Sequence, residues 1–227
     1  MSLIIVESPS KINKITTYAN ANGGNYTTAA TVGHLLDLVK SRMAIDTTTF
    51  AVETDIISGK DKQVRQLRLA SKKANRIILA GDPDREGEAI CVQVAKLLKL
   101  PLESTPRIRF NEITKNAIQN ALMHPSTIDM DLYNAQQARR IIDRLLGYTL
   151  SPILSEAIGH KGMSAGRVQS VVLNMICQKK NMVDNFESTI GVQMQGTFIH
   201  SNSELCAKLN KKIDWDLAEQ LMTAAKK

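Results

Sequence analysis

The stretch Arg76–Ile90, RIILAGDPDREGEAI, constrains this 227-residue chain more than any other. Arg76-Ile77-Ile78-Leu79-Ala80 is short, rich in β-branched residues and apolar after its first position. Such a run suits a strand covered on both faces, as in a parallel sheet. Asp82, Asp84, Glu86 and Glu88 follow at every second position, and a helical apolar pattern starts behind them. Carboxylates this close repel one another unless positive charge lies among them. A hard divalent cation such as Mg²⁺ supplies it and takes oxygen ligands. Position points the same way, because ligands of open α/β sheets collect outside the carboxyl ends of the strands. The competing reading is a solvated acidic turn at a helix N-terminus, where acids are favourable without any ligand.

The same alternation runs through the first half of the chain. Leu3-Ile4-Ile5-Val6 is a second buried-strand candidate with Glu7 at its exit, followed by a helix to about Ala19. Lys11 falls in that helix's first turn, where the dipole disfavours a cation, so an anionic ligand such as a phosphate would explain it. A solvent-facing lysine is the plainer alternative. Tyr26 to Val32 predicts a strand ended by Gly33-His34, residues 41–60 read as irregular, and Asp61 to Ala74 reads as a basic helix. A helix from about Gly87 to Lys99 carries the stripe Ile90, Val94, Leu97 and Leu98. Arg107–Phe110 predicts a strand, and Thr114 caps a helix to about Met123. This order implies α/β architecture, a parallel sheet with helices on both faces. Polar residues recur at the strand exits: Glu7, His34, the acidic turn and Glu112.

Beyond Pro125 only helices are predicted, which places a domain boundary there. The expected domains are 1–125, a helical domain over 126–187, and the start of a further domain over 188–227. At 100° per residue the helix from Asp131 to Gly147 puts Ala135, Ala138, Ile142, Leu145 and Leu146 on one side. Tyr133, Gln137, Arg140 and Arg144 fall opposite, with Arg139 at the border. That polar stripe either tracks a phosphate backbone or is simply solvated. Gly147 is expected to end the helix and Ser151-Pro152 to start another, to about Ile158. Ser164-Ala165-Gly166-Arg167 opens a helix to Val183 with the core stripe Val168, Val171, Val172, Met175 and Ile176. Its start offers free N–H groups beside a cation, which suits a phosphate. Thr189–His200 reads as a strand and Asp214–Ala225 as a last helix.

Composition narrows the class. With 43% hydrophobic and 22% charged residues the chain is an ordinary globular protein. No apolar run approaches the roughly 20 residues that span a bilayer, so no membrane partner is expected. Residues 1–10 lack a signal-peptide layout. Cys91, Cys177 and Cys206 are odd in number and widely spaced, which suits a reducing, cytoplasmic setting. The net charge of +7 favours a polyanionic partner.

Several motifs then stand in a telling order: Val6-Glu7-Ser8-Pro9-Ser10-Lys11, Gly33-His34-Leu35-Leu36-Asp37-Leu38, Asp82 to Ile90, Phe110-Asn111-Glu112-Ile113-Thr114, Ala135 to Tyr148 (AQQARRIIDRLLGY), and Ser164 to Ser170 (SAGRVQS). Over roughly residues 1–190 the chain resembles the N-terminal half of type IA DNA topoisomerases, closer to bacterial topoisomerase I than to topoisomerase III. The glutamate with Asp-x-Asp-x-Glu alone means a Toprim domain, shared with primases and some nucleases. The helical motifs beyond residue 130 make the resemblance specific. It implies a Toprim domain followed by an all-α, winged-helix-like DNA-binding domain, with gate domains absent or only begun.

The resemblance also implies roles. Asp82, Asp84 and Glu86 are the Mg²⁺ ligands, Glu7 moves a proton beside the scissile phosphate, and Lys11 stabilises charge on it. Arg109 belongs with Glu7 and Lys11 to the catalytic set, His34 contacts the DNA, and both shape the pocket together with Asn111 and Glu112. Arg139, Arg140, Arg144, Arg167 and Gln169 hold the single strand upstream of the cut, with Gln137 on the same polar stripe. In this family a tyrosine attacks a DNA phosphate, the other strand passes the gap, and the nick is resealed without ATP. That tyrosine lies in an Arg-Thr-Asp-Ser-like context of a later domain. Tyr18, Tyr26, Tyr133 and Tyr148 are this chain's only tyrosines, and none has that context. The expectation is a chain inactive alone, binding single-stranded or negatively supercoiled DNA, with nucleophile and gate on a separate chain or missing. A non-catalytic DNA-binding module that kept the fold, and another Toprim enzyme such as a nuclease or primase, are the alternatives.

Overall fold

The computed structural model describes residues 1–188, 191–201 and 203–225. Strand β1 (Ser2–Val6) enters a 3-10 turn (Pro9–Lys11) and helix α1 (Ile12–Asn20). Strand β2 (Tyr26–Ala30) follows, then the short β3 (Leu36–Leu38) and β4 (Thr54–Ile56). Helices α2 (Asp61–Lys73), α3 (Arg85–Leu98) and α4 (Lys115–Met123) frame β5 (Arg76–Ala80) and the segment after it. Two longer helices come next, α5 (Met130–Ile158) and α6 (Arg167–Asp184). A hairpin of β6 (Gln195–His200) and β7 (Ser203–Lys208) and helix α7 (Trp215–Ala225) complete the described elements. Thr189 and Ile190 of the expected strand, and Asn202, Lys226 and Lys227 of the expected last domain, lie outside the described residues.

Two compact units divide the chain, Met1–Gln169 and Ser170–Lys227. In the first, β1 is the middle of a parallel sheet ordered β2-β1-β5. Strand alternation sends side chains to two faces, and each face has its own core. Leu3, Ile5 and Leu79 pack with Val64 and Leu67 of α2 and with Ile90, Val94 and Ala95 of α3. Ile4, Val6, Ile78 and Ala80 pack with Ile15 and Ala19 of α1 and with Ile118 and Ala121 of α4. This is the expected parallel sheet with helices on both faces, followed by a helical region. In the second unit β6 and β7 pair antiparallel over six residue pairs, and Val192 bridges Ile213.

Local expectations needed correction in four places. Arg107–Phe110 is not a full strand: Arg107 bridges Leu79 in parallel and Ser126 antiparallel, and its side chain is drawn inward. Residues 41–60 are not wholly irregular, because Thr54–Ile56 pairs with Leu36–Leu38. Gly147 does not end a helix. α5 runs through Gly147 and Pro152 to Gly159, whose φ of +70° and N–H bonds to the Ser155 and Glu156 carbonyls form the real stop. Pro152 therefore sits inside a helix, a placement that costs about 3 kcal/mol in isolation. Finally, the stripe of α6 from Val168 to Ile176 is exposed rather than core, each of its residues 47–62% accessible.

Candidate active site

The parallel register sets Val6, Ala30 and Ala80 at one level. Glu7, the Thr31–His34 segment and the Gly81–Glu86 turn therefore leave the sheet at a common edge. The Thr31 and Val32 N–H groups donate to the Val6 and Glu7 carbonyls, each at 2.9 Å. Val32 takes φ +59°, a strained choice for a β-branched residue. Lys60 Nζ donates to its carbonyl, and Gly33 at φ +82° turns the chain toward His34.

The acidic turn is folded back on the helix it opens. A Cβ on Gly87 would stand 2.1 Å from the Asp82 carbonyl oxygen, so only glycine fits. Asp84 is the N-cap of α3, its carboxylate accepting the Gly87 N–H at 2.7 Å. Lys11 Nζ lies 2.5 Å from Asp82 Oδ1. Glu86 Oε2 accepts from Gln136 Nε2 at 3.1 Å and faces His34 Nε2 at 3.2 Å. The buried Gln93 amide accepts from the Leu35 and Leu36 N–H groups and donates toward His34 Nδ1 at 3.0 Å. With the Gln93 amide donating at Nδ1, the His34 Nε2–H is left to donate to Glu86. Burial first, then the charges of Asp82 and Asp84, push the Glu7 carboxyl above its ordinary value despite the opposing pull of Lys11 and His34.

The three expected metal ligands are neighbours on one turn but are not gathered on one point. Asp82 faces Lys11, Asp84 caps a helix, and Glu86 faces His34 and Gln136. Among the described residues no three His, Cys, Asp or Glu side chains are grouped as a ready metal centre. The donor set nonetheless fits a hard cation. All donors are carboxylate oxygens, the ligand type such a cation takes.

Beneath the turn lies a second cluster. Glu88 and Arg107 are fully buried, and Glu88 Oε1 accepts from Arg107 Nε at 3.2 Å and from Arg109 Nη2 at 2.6 Å. Arg107 also donates to the Gly81 and Asp82 carbonyls, both at 2.8 Å. It thereby ties the acidic turn to the sheet. Arg109 donates to Glu88, the Ser126 hydroxyl and the Thr127 carbonyl.

The arginines of α5 meet the β3 segment. Arg140 pairs with Asp37 at 2.5 Å, and Arg144 donates to the carbonyls of Val39 and Arg42 at 2.8 and 3.1 Å. Burial alone would raise the Asp37 carboxyl, but hydrogen bonds from Arg140 and Leu38 outweigh it and hold it low. The Arg144 guanidinium lies 4.6 Å from the Tyr148 ring centre, and the Tyr148 hydroxyl donates to the Lys40 carbonyl. Asp143 joins Arg139 and Arg167: Arg167 Nε is 3.0 Å away and Arg139 Nε 3.8 Å. The Arg167 hydrogen bond lowers the Asp143 carboxyl. Gln169 Oε1 accepts from Ser164 Oγ at 3.3 Å, and Gln137 is half-buried. Asp37, Arg140, Asp143, Arg144 and Tyr148 line an open cleft of about 580 Å³.

Two family matches cover nearly all of this. The Toprim domain matches residues 2–113, and the DNA topoisomerase family matches residues 127–227. Full-length topoisomerase I from Thermotoga maritima superposes with a TM-score of 0.72 at 34% identity, over 96% of this chain. The chain belongs to the type IA DNA topoisomerases and corresponds to their N-terminal portion. It spans 37% of the Thermotoga maritima chain. Among the described residues no helix is long and apolar enough to cross a membrane.

Sequence reasoning did not single out Arg107, Gln93 or Gln136. Arg107 had a signal: two positions before Arg109 in an extended run, it shares that residue's face. Gln136 had none. Helical periodicity assigned the interior of α5 to Ala135, Ala138 and Ile142, which are exposed, while Gln136 is its one buried residue.

Proposed function

We propose that this chain supplies the cation-binding and strand-holding part of a type IA topoisomerase, which relaxes negatively supercoiled DNA by transient cleavage of one strand. The observation that carries the reading is the common sheet edge where Glu7, Lys11, His34 and the acidic turn meet. Asp82, Asp84 and Glu86 would hold Mg²⁺. When bound, the cation would neutralise charge on the phosphate being attacked.

The remaining work belongs to the chain's own side chains. Lys11 leaves Asp82 to contact a phosphate oxygen and stabilises charge there. Glu7, whose carboxyl is raised by burial and by neighbouring acids, keeps its proton to higher pH than a solvated glutamate and delivers it to the departing 3′-oxygen. Arg139, Arg140, Arg144, Arg167, Gln137 and Gln169 hold the strand upstream, exchanging carboxylate and carbonyl partners for phosphates. Arg109 acts through Glu88 as a positioning residue. The nucleophile comes from outside these 227 residues: the Tyr148 hydroxyl is engaged with Lys40, and the Tyr133 hydroxyl accepts from Lys96. The protein acts on DNA in the cytoplasm.

The test pairs binding with turnover. The chain is expected to bind Mg²⁺ by calorimetry and a single-stranded oligonucleotide by anisotropy, yet to relax no plasmid until a chain bearing the remaining domains is added. Arg140→Ala with Arg144→Ala is expected to weaken binding about equally across sequences and to flatten its salt dependence. Relaxation by the chain alone that survives replacement of each tyrosine by phenylalanine would overturn the proposal. A second reading, a non-catalytic single-strand-binding module, draws on the acids each having a protein partner. Oligonucleotide binding with no cation binding would favour it.

A further inference from the structure

Gln136 is the only buried residue on the 29-residue helix α5. Its Nε2 donates to Glu86 Oε2, while its Oε1 is buried with no hydrogen-bond partner. A buried amide oxygen left unpaired is unfavourable, and an apolar side chain of the same length would avoid the cost. A residue that breaks this rule without stabilising the fold points to a functional constraint. The constraint is visible at Glu86. Its Oε2 receives both Gln136 Nε2 and His34 Nε2, which leaves Oε1 without those donors on a side chain 44% exposed. His34 is in turn fixed by Gln93. Outer partners of this kind orient a carboxylate ligand and set its affinity. Gln136 differs from His34 and Gln93 in one respect. One turn further along α5, Arg140 holds Asp37 and the Leu36 carbonyl, and Gln93 donates to the same Leu36 carbonyl. The helix that presents the arginines is thus joined to Glu86 directly, through Gln136, and indirectly, through Leu36, Gln93 and His34.

We infer that Gln136 is a positioning residue that orients Glu86 for the cation and couples cation binding at the acidic turn to strand binding along α5. The inference rests on the cation- and strand-binding reading given above. A strand that draws Arg140 from Asp37 shifts the register of α5 against the β3 segment and resets the Gln136 contact. By linkage, the factor by which an oligonucleotide changes cation affinity equals the factor by which the cation changes oligonucleotide affinity.

The test uses the full chain, Mn²⁺ or Mg²⁺ titrated by calorimetry, and a single-stranded oligonucleotide titrated by anisotropy, each with and without the other ligand. Gln136→Met keeps the length and removes the unpaired oxygen. The variant is expected to melt at the wild-type temperature or above, to bind the cation about tenfold or more weakly, and to lose the coupling factor seen in wild type. Gln136→Asn, which keeps the amide on a shorter stem, is expected to recover part of the cation affinity only. Unchanged coupling in Gln136→Met overturns the inference, as does a wild type that binds both ligands independently. A Gln136→Met variant that melts lower while retaining cation affinity assigns the residue to packing and also overturns it. If wild type binds neither ligand, the functional reading itself fails, an outcome distinct from binding without coupling.

Discussion

Glu86 and Glu88 lie two residues apart in the first turn of α3, yet they inhabit different regions. Glu86 is 44% exposed and shares one oxygen between an imidazole and an amide. Glu88 is fully buried and receives two guanidinium groups. The alternation of acids in sequence treats them as equivalent, but on a helix two positions are about 200° apart, so they face opposite sides. One side is the sheet edge where a ligand can enter. The other is the interior, where a charge persists only if paired. The acidic turn and the ion cluster under it are therefore separable: the first is an open donor set and the second is the scaffold that aims it.

The largest expected effect tests that separation. Glu88→Gln leaves Arg107, fully buried, without its carboxylate, and breaking a buried pair on one side costs about 3–5 kcal/mol. Glu86→Gln keeps an acceptor for His34 and Gln136 on a half-exposed side chain and is expected to change stability by less than about 0.5 kcal/mol. Urea denaturation of both variants in EDTA decides it. Equal losses would mean that turn and ion cluster form one cooperative unit.

The middle effect concerns Asp84, which belongs to both descriptions: it caps α3 and is a proposed cation ligand. Asp84→Ala is expected to lose the cap and cost about 1 kcal/mol. Asp84→Asn caps as well as aspartate and is expected to retain stability while weakening cation binding, since a neutral amide replaces a carboxylate. Melting curves with and without Mg²⁺ separate the two roles: without cation only the alanine variant should differ from wild type, and with cation both should. If the asparagine variant gains as much from Mg²⁺ as wild type, Asp84 is a cap and nothing more.

These cases show how far the sequence could be read. The sheet was legible because β1 and β5 are short apolar runs whose alternation fills two cores, Leu3 with Ile5 and Ile4 with Val6. The site's location was legible because strand exits carried Glu7, His34 and the acids. The inside of α5 was not, because periodicity assumes that the buried face is apolar. Here the inward face carries Gln136, whose amide donates to Glu86, with half-buried Arg140 and Arg144, whose guanidinium groups find partners on the β3 segment. Partners so remote, 103 residues away for Arg140 and Asp37, leave no local trace. The continuation of α5 past Gly147 was hidden for a similar reason. Glycine and proline there read as punctuation, although Gly147 keeps a helical backbone and Gly159 carries the left-handed turn.

The smallest effect contrasts two half-buried acids at this edge. Burial and the nearby Asp82 and Asp84 raise the Glu7 carboxyl in the folded state. Folding then favours its proton, so ionised Glu7 opposes folding. The penalty is absent below its unfolded pKa, grows as pH rises, and is complete above its folded value. Glu7→Gln should therefore melt higher than wild type at neutral pH, with the gain vanishing in acid. Asp37 has the opposite sign. Arg140 and the Leu38 N–H overcome the effect of burial and lower its carboxyl, so its contribution is present above its unfolded pKa and is lost as pH falls through the folded value. Asp37→Asn should melt lower at neutral pH and converge on wild type in acid. Both shifts should stay below about 1 kcal/mol, as for other partly exposed charges. Melting temperatures across the acid range in EDTA give the comparison its sharpest form: the two variants should bracket wild type at neutral pH and close toward it from opposite sides. Two curves displaced in the same direction would mean that Lys11 holds Glu7 as firmly as Arg140 holds Asp37, against burial and the neighbouring Asp82 and Asp84.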